Sequence, residues 1–264
     1  MRGPLKDAIG HSIFASRLDT LLLRHTAVVV AFHRVKNICG GDGLTVSVPL
    51  FDRYCRFFRD HFNVVPLGDL VTRLERRLPL DRHLAITFDD GYLDNFENAA
   101  PILRKYGLPS VFFVVTGWVG GDVVPWWDQE EGVRHPWMSW EQVRTLHRSG
   151  FEIGAHTRTH VDLGAVGGGD AETEIAGARQ DLQQELGAAV DLFAYPYGSR
   201  ANLSDANRAL VKRAGFRCCC SCFGGAVTAD TDPFRIARVA INRSLSSPHG
   251  FGFEVAFGRT LLPA

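Results

Sequence analysis

The chain has 264 residues, 45% of them hydrophobic, and a formal net charge of zero from 29 basic and 29 acidic side chains. That is enough apolar material for one large α/β domain with a real core, or for two small ones. The charge balance and the lack of any Lys/Arg tract argue against a nucleic-acid partner. No stretch reaches the roughly 18 consecutive apolar residues of a membrane span.

In residues 1–24, Asp7, His11, Arg17, Asp19 and Arg24 interrupt any apolar core of a secretory signal. The expectation is a cytoplasmic or membrane-proximal protein, or one exported by a route the sequence does not show. Ile13, Phe14, Leu18, Leu21 and Leu22 predict a short amphipathic helix within 1–26, docked on the fold rather than on a membrane surface.

Ala27–Phe32 is a β-branched apolar run ending at His33-Arg34, and reads as a first strand. A loop with Gly40, Gly41 and Gly43 follows. Pro49 then opens a helix with Phe51, Tyr54, Phe58 and Phe62 at helical spacing. Val64-Val65 suggests a short strand, and Leu70, Val71 and Leu74 another helix. His83–Phe88 is a second buried strand, stopping on Asp89, Asp90 and Gly91. Residues 95–106 read as a helix stopped by Gly107, and 110–115 as a third strand.

The long stretch 116–138 carries Trp118, Trp126, Trp127 and Trp137, and a loop of that length inside a compact domain is usually functional. Ser139 and Gln142 form a capping box for the next helix. A fourth strand, 151–155, ends at His156. Gly167 to Gly169 reads as a hinge-like loop, with Asp170 capping a helix to about Leu186. Residues 190–195 are a fifth strand, Ser204 caps a helix reaching Ala214, and 216–221 and 235–241 supply the last two strands.

About seven strand–helix units without a composition break predict a parallel sheet. An open doubly wound sheet and a closed barrel both fit. The barrel is preferred, because it brings the polar residues at the strands' C-terminal ends to one mouth. The expected organisation is an N-terminal helix (1–26), a single barrel domain (27–243) and a C-terminal tail (244–264) in which His249 is exposed. Nothing in the sequence sets an oligomeric state. Six cysteines include Cys218, Cys219, Cys220 and Cys222, where consecutive residues rarely meet bridging geometry. They read as small buried hydrophobes of a strand, and free thiols lean weakly toward a reducing compartment.

Neighbouring side chains of an extended backbone point to opposite sides, so one of Asp89 and Asp90 can hold a metal while the other handles a proton. His156 and His160 stand four residues apart after a strand, about 5–6 Å at Cβ if they share one turn. With Asp90 they make two imidazoles and a carboxylate, the ligand pattern of a catalytic zinc site with an open position. Thr157 follows the first histidine where a metalloprotease helix would carry glutamate.

Thr87 to Gly91, then His156 to His160, then Phe193-Ala194-Tyr195-Pro196-Tyr197-Gly198 resembles the polysaccharide deacetylases of carbohydrate esterase family 4, over about residues 27–243. The resemblance implies a distorted (β/α)7 barrel, a TIM-like α/β fold. It also implies a divalent metal, usually zinc, and hydrolysis of acetyl groups, N-acetyl or O-acetyl, on a glycan. Matched residue by residue, Asp89 is the general base, Asp90, His156 and His160 the metal ligands, and Tyr197 the backbone N–H donor to the oxyanion. Such a donor can contribute roughly 3 kcal/mol, and a divalent metal brings the pKa of its water near ~7.

Two departures stand out. Ala194 occupies the place of the arginine that orients the base, and Arg238 is the candidate to supply that cation from across the barrel. No Leu-x-His stands near the C-terminus, where Ile241-Asn242-Arg243 is found, so His33 is the candidate acid for the leaving amine. Trp126, Trp127, Tyr195 and Pro196 are candidate substrate contacts, since sugars stack on aromatic faces, and Asp128 is a candidate acceptor for a sugar hydroxyl. The expected activity is metal-dependent deacetylation of an N-acetylated polysaccharide or lipid-linked precursor, in exopolysaccharide or cell-envelope glycan metabolism. The alternatives are hydrolysis of a non-sugar linear amide and a catalytically impaired glycan-binding barrel.

Overall fold

The computed structural model describes residues 3–37, 43–223, 225, 227–242 and 245–257. Gly40 and Gly41 of the glycine loop, Cys39 and Arg243 lie outside the described residues. Among the described residues eight strands occur in chain order. They are β1 Ala27–Phe32, β2 Arg34–Val35, β3 Thr45–Val46, β4 Asn63–Val64, β5 His83–Phe88, β6 Val111–Val114, β7 Glu152–Ala155 and β8 Val239–Ala240.

The parallel pairings close on themselves. β1 pairs with β5 from Ala27↔His83 to Phe32↔Phe88, β5 with β6, and β6 with β7. Beyond β7 the ring runs through the parallel bridges Ala155↔Phe193, Ala194↔Cys220 and Cys220↔Ile236. It returns through β8 to β1 at Val30↔Val239. This is a distorted barrel of seven strand positions, in which the expected strands 190–195 and 216–221 shrink to bridge contacts. β2 and β3 form a separate parallel pair, and β4 joins the start of β5.

Every residue of β1 and β5 is buried, as a parallel sheet covered on both faces requires. Alternation sorts them. Val28, Val30, Phe32, Leu84, Ile86 and Phe88 pack outward against the helices. Val29, Ala85, Phe113, Ala194, Cys220 and Ile236 form the inner cluster, joined by Leu70, Val71 and Leu74 of the helix Leu67–Glu75. The inward parity of β5 continues through Thr87 to Asp89, which is how a core strand delivers a carboxylate to the mouth. The cysteines alternate too, with Cys218 and Cys220 inward and Cys219 outward.

The two ends of the chain differ from expectation. The N-terminal helix, Gly3–Ala15, buries Ile13 and Phe14, but Arg17 at φ 63° breaks it, leaving Leu18, Leu21 and Leu22 exposed. The expected tail contains a helix, Pro248–Ala256, that crosses this first helix. A Cβ at Gly10 would lie 2.0 Å from the His249 carbonyl oxygen, so only glycine permits the approach. His249 is half-buried there, its ring 4.8 Å from that of His11.

Smaller corrections have local causes. The helix Gly168–Leu186 takes Gly167 as its cap, with Asp170 inside the first turn, where its charge suits the dipole. The segment expected as one helix over 95–106 opens with a π-helical turn, Asn95–Ala99, before Ala100–Tyr106. The Ser139/Gln142 capping box forms as expected. Among the described residues no helix is long and apolar enough to cross a membrane.

Candidate metal centre and catalytic pocket

A cavity of about 410 Å³ opens at the C-terminal mouth of the barrel, lined by His33, Asp89, Asp90, His156, His160 and Tyr197 among others. The Asp90 carboxylate Oδ1 lies 3.4 Å from His156 Nε2 and 3.3 Å from His160 Nε2. The three residues are buried, and their ligand atoms all fall within 4.8 Å of one another.

The donor set fits a cation. His156 Nδ1 lies 2.8 Å from the Ala194 carbonyl oxygen, an acceptor, so Nδ1 carries a hydrogen and Nε2 is the nitrogen aimed at Asp90. Asp90 Oδ1 is buried without a hydrogen-bond donor, the kind of orphan a metal satisfies. Burial pushes the Asp90 carboxyl up, but the His156 and His160 imidazoles facing it outweigh burial and hold the group well below the usual carboxylate range. Burial likewise depresses His160, keeping it neutral and able to ligate.

The backbone around these atoms is left-handed at Asp90 (φ 72°), Thr157 (62°), His160 (59°) and Tyr197 (61°). Such conformations cost of order 1 kcal/mol or more each and persist where surroundings enforce them. The enforcing contacts around the histidine loop come from residues to which sequence reasoning assigned no role. Glu174 accepts from Arg158 N, Thr159 N and Thr159 Oγ1 at 2.8–2.9 Å. Arg158 grips Asp181 through two bonds of 2.9 and 3.0 Å. Trp118 stacks on the His160 ring at 5.2 Å. No local pattern in the sequence ties Glu174 to a loop fifteen residues earlier.

Asp89 meets Arg238 in a bidentate pair, with Nη1···Oδ1 2.7 Å and Nη2···Oδ2 2.8 Å, and both side chains are buried. The guanidinium is held in turn by Ser221 O at 2.8 Å, Thr87 Oγ1 at 2.9 Å and Cys222 Sγ at 3.0 Å. Burial alone would raise the Asp89 carboxyl, yet the Arg238 charge overrides it and keeps the group ionised. His33 Nε2 stands 3.9 Å from Asp89 Oδ2. Tyr197 N–H has no acceptor among the described residues. Cys222 lines the same cavity with its thiol pushed up to about 12 by burial, so it stays neutral. Unlike the buried cysteines of this strand, it continues the inward parity of Cys220 to the mouth.

The aromatic candidates divide. Trp126 is 54% exposed at the rim, its Nε1 3.4 Å from Tyr197 Oη, and Trp127 meets the His160 ring edge-on at 5.1 Å. Tyr195 and Pro196 do not offer a stacking face. Tyr195 lines the cavity but is 1% exposed with its ring against Phe193, and Pro196 is buried. Asp128 is fully buried on Arg34, away from any sugar hydroxyl.

The sequence model of the polysaccharide deacetylases matches residues 77–219, more than half of the chain. The chain belongs to the polysaccharide deacetylase family. This deacetylase is 22% identical over 212 residues to YxkH of Bacillus subtilis (strain 168), covering 80% of this chain and 70% of that one. It is 26% identical over 170 residues to a poly-beta-1,6-N-acetyl-D-glucosamine N-deacetylase of Staphylococcus aureus (strain MRSA252). That match spans 61% of this chain and 55% of the staphylococcal protein, about half its length.

In fold, the deacetylase superposes on Streptococcus pyogenes PplD with a TM-score of 0.73 at 20% identity, covering 91% of this chain and all of that one. It superposes on IcaB from Ammonifex degensii with a TM-score of 0.72 at 23% identity, covering 87% and 97%. The barrel reading over an open sheet therefore holds. The family is metal-dependent, and Asp90, His156 and His160 offer it a candidate site.

Proposed function

We propose that this chain hydrolyses N-acetyl groups of an N-acetylglucosamine polymer, with zinc held by Asp90, His156 and His160 and with Asp89 as general base. The reading rests on one observation above all. Asp89, pinned by Arg238 on both oxygens, shares a cavity with three convergent metal-type ligands. Two imidazoles and one carboxylate suit zinc better than magnesium or calcium, which prefer all-oxygen shells.

The metal, when bound, acidifies water and polarises the acyl oxygen. The residues do the rest. Asp89 takes the proton of the attacking water, its charge state guarded by Arg238. Tyr197 N–H donates to the oxygen of the tetrahedral intermediate. His33, whose Nε2 lies 3.9 Å from Asp89 Oδ2, delivers a proton to the leaving nitrogen. Trp126 and Trp127 give the sugar ring an apolar face. The activity of the staphylococcal relatives supports a β-1,6-linked N-acetylglucosamine polymer and a place in exopolysaccharide assembly. Arg238 in the arginine's role argues against the impaired-barrel alternative.

The test is bound-metal analysis together with acetate release from β-1,6-linked N-acetylglucosamine oligomers, for wild type and Asp89→Asn. Zinc in both proteins with turnover only in wild type is expected. Bound zinc without acetate release from any glycan would overturn the glycan reading.

A further inference from the structure

Beside the catalytic cavity lies a second cleft of about 370 Å³ that the reaction leaves unused. The two share a wall. Tyr197 and Cys222 line the first, while Arg200, Ser221 and Phe223 line the second. Cys222 N–H donates to Gly198 O at 2.8 Å, so the strip where these two segments meet is the partition.

The cleft is basic and aromatic. Arg200, Arg208 and Arg235 bring three guanidinium groups to it, together with Phe223 and Phe234. Two carboxylates face them. Asp205, itself 81% exposed, is shared by Arg208 and Arg235, and Asp232 stands 3.9 Å from Arg235. Arg200 makes no ion pair among the described residues and lies over the Phe223 ring at 5.4 Å. Lys212 adds a further cation 5.8 Å from the Phe234 ring.

Arg208 shows what the cleft lacks. Its side chain is only 18% exposed, and its Nε is buried without an acceptor. A buried guanidinium N–H is seldom left unbonded, because its desolvation is then uncompensated. The missing partner is an acceptor, and with positive charge in excess an anionic one is favoured. Guanidinium groups pair with planar carboxylate and with phosphate oxygens, while the phenylalanine rings suit the apolar face of a sugar.

We propose that this cleft binds an anionic substituent, carboxylate or phosphate, on a sugar neighbouring the one being deacetylated. The proposal rests on the glycan-deacetylase reading above and narrows the N-acetylglucosamine polymer to one that carries acidic substituents. The arginines contribute to binding and touch neither the metal ligands nor Asp89.

Binding is measured by calorimetry for three oligosaccharide probes at low and physiological salt. They are neutral N-acetylglucosamine oligomers, oligomers alternating N-acetylglucosamine with glucuronate, and phosphodiester-linked N-acetylglucosamine oligomers. One or both acidic probes are expected to bind about tenfold tighter than the neutral one, less so at higher salt. The tighter of the two identifies carboxylate or phosphate as the source. Arg200→Gln, at an exposed position, and Arg208→Gln should each erase most of that advantage while leaving binding and turnover of the neutral oligomer unchanged. Equal binding of acidic and neutral probes, or an advantage that survives both substitutions, overturns the proposal. Arginine-dependent acidic binding without acetate release would sink the deacetylase reading and leave the cleft standing.

Discussion

The Arg34 guanidinium and the Asp128 carboxylate meet at 2.5 Å, each at most 1% exposed, across 94 residues of sequence. Arg34 belongs to β2 and also lies 5.0 Å from the Tyr92 ring, and Tyr92 Oη accepts from Trp127 Nε1 at 3.1 Å. Asp128 sits in the short helix Trp126–Glu130. The pair therefore staples the tryptophan segment to the barrel rim. Removing one partner of a buried pair costs about 3–5 kcal/mol. Asp128→Ala should lose that much in denaturant unfolding and raise KM for glycan more than it lowers kcat. An unchanged unfolding midpoint would show that the staple is idle.

Asp89 and Arg238 can be separated by their pH behaviour. Asp89→Asn should lower kcat by about 10²–10⁴-fold, the usual range for a lost general base, with metal content intact. Arg238→Gln acts differently. It removes the charge that outweighs burial, so the Asp89 carboxyl rises and the acid limb of kcat/KM moves to higher pH. Arg238→Lys should restore part of the shift, since it returns the charge without the two-pronged fork. An acid limb that stays in place in Arg238→Gln would rule out Asp89 as its source.

The metal centre predicts a stability readout free of turnover. Zinc bound only to the folded state stabilises by RT ln(1 + [L]/Kd), about 2.7 kcal/mol at a hundredfold excess over Kd. Adding zinc after chelation should therefore raise Tm in wild type. The rise should be much smaller in His160→Gln, which loses one of three ligands. Equal rises in both proteins would place zinc elsewhere.

Asp94 supplies a pH effect away from the reaction. Burial pushes its carboxyl up to about 6, although Val35 N and Asn95 Nδ2 donate to it at 2.9 Å. The folded-state pKa lies above the unfolded value, so the folded protein binds the proton more tightly. Stability from this group therefore grows as pH falls through about 6 toward 4, and is lost as pH rises. A shift of about two units is worth roughly 2–3 kcal/mol. Wild type should lose that much between pH 4.5 and pH 8 (values on the order of the two pKa limits) relative to Asp94→Asn, which keeps the acceptor oxygen. Parallel curves for the two proteins would refute the assignment.

What the linear chain determines here is the chemistry at strand tips. Asp89 and Asp90 follow directly on β5 and His156 on β7, so each is placed by the residues immediately before it. Burial of a continuous apolar run forces its last polar residues to the rim, and that rule is local enough to read without coordinates.

Closure of the ring decided the rest. Arg238 meets Asp89 because both fall on inward positions of the strand positions that flank β1, 149 residues apart in sequence. Asp128 turned out to be a structural anion, and Tyr195 and Pro196 buried rather than presented, because their surroundings come from distant segments. Cys222 reached the cavity only through the parity of a strand that is little more than two bridges at Cys220. Charge pairing and burial depend on three-dimensional neighbours, and no spacing within one segment encodes which neighbour a side chain will meet.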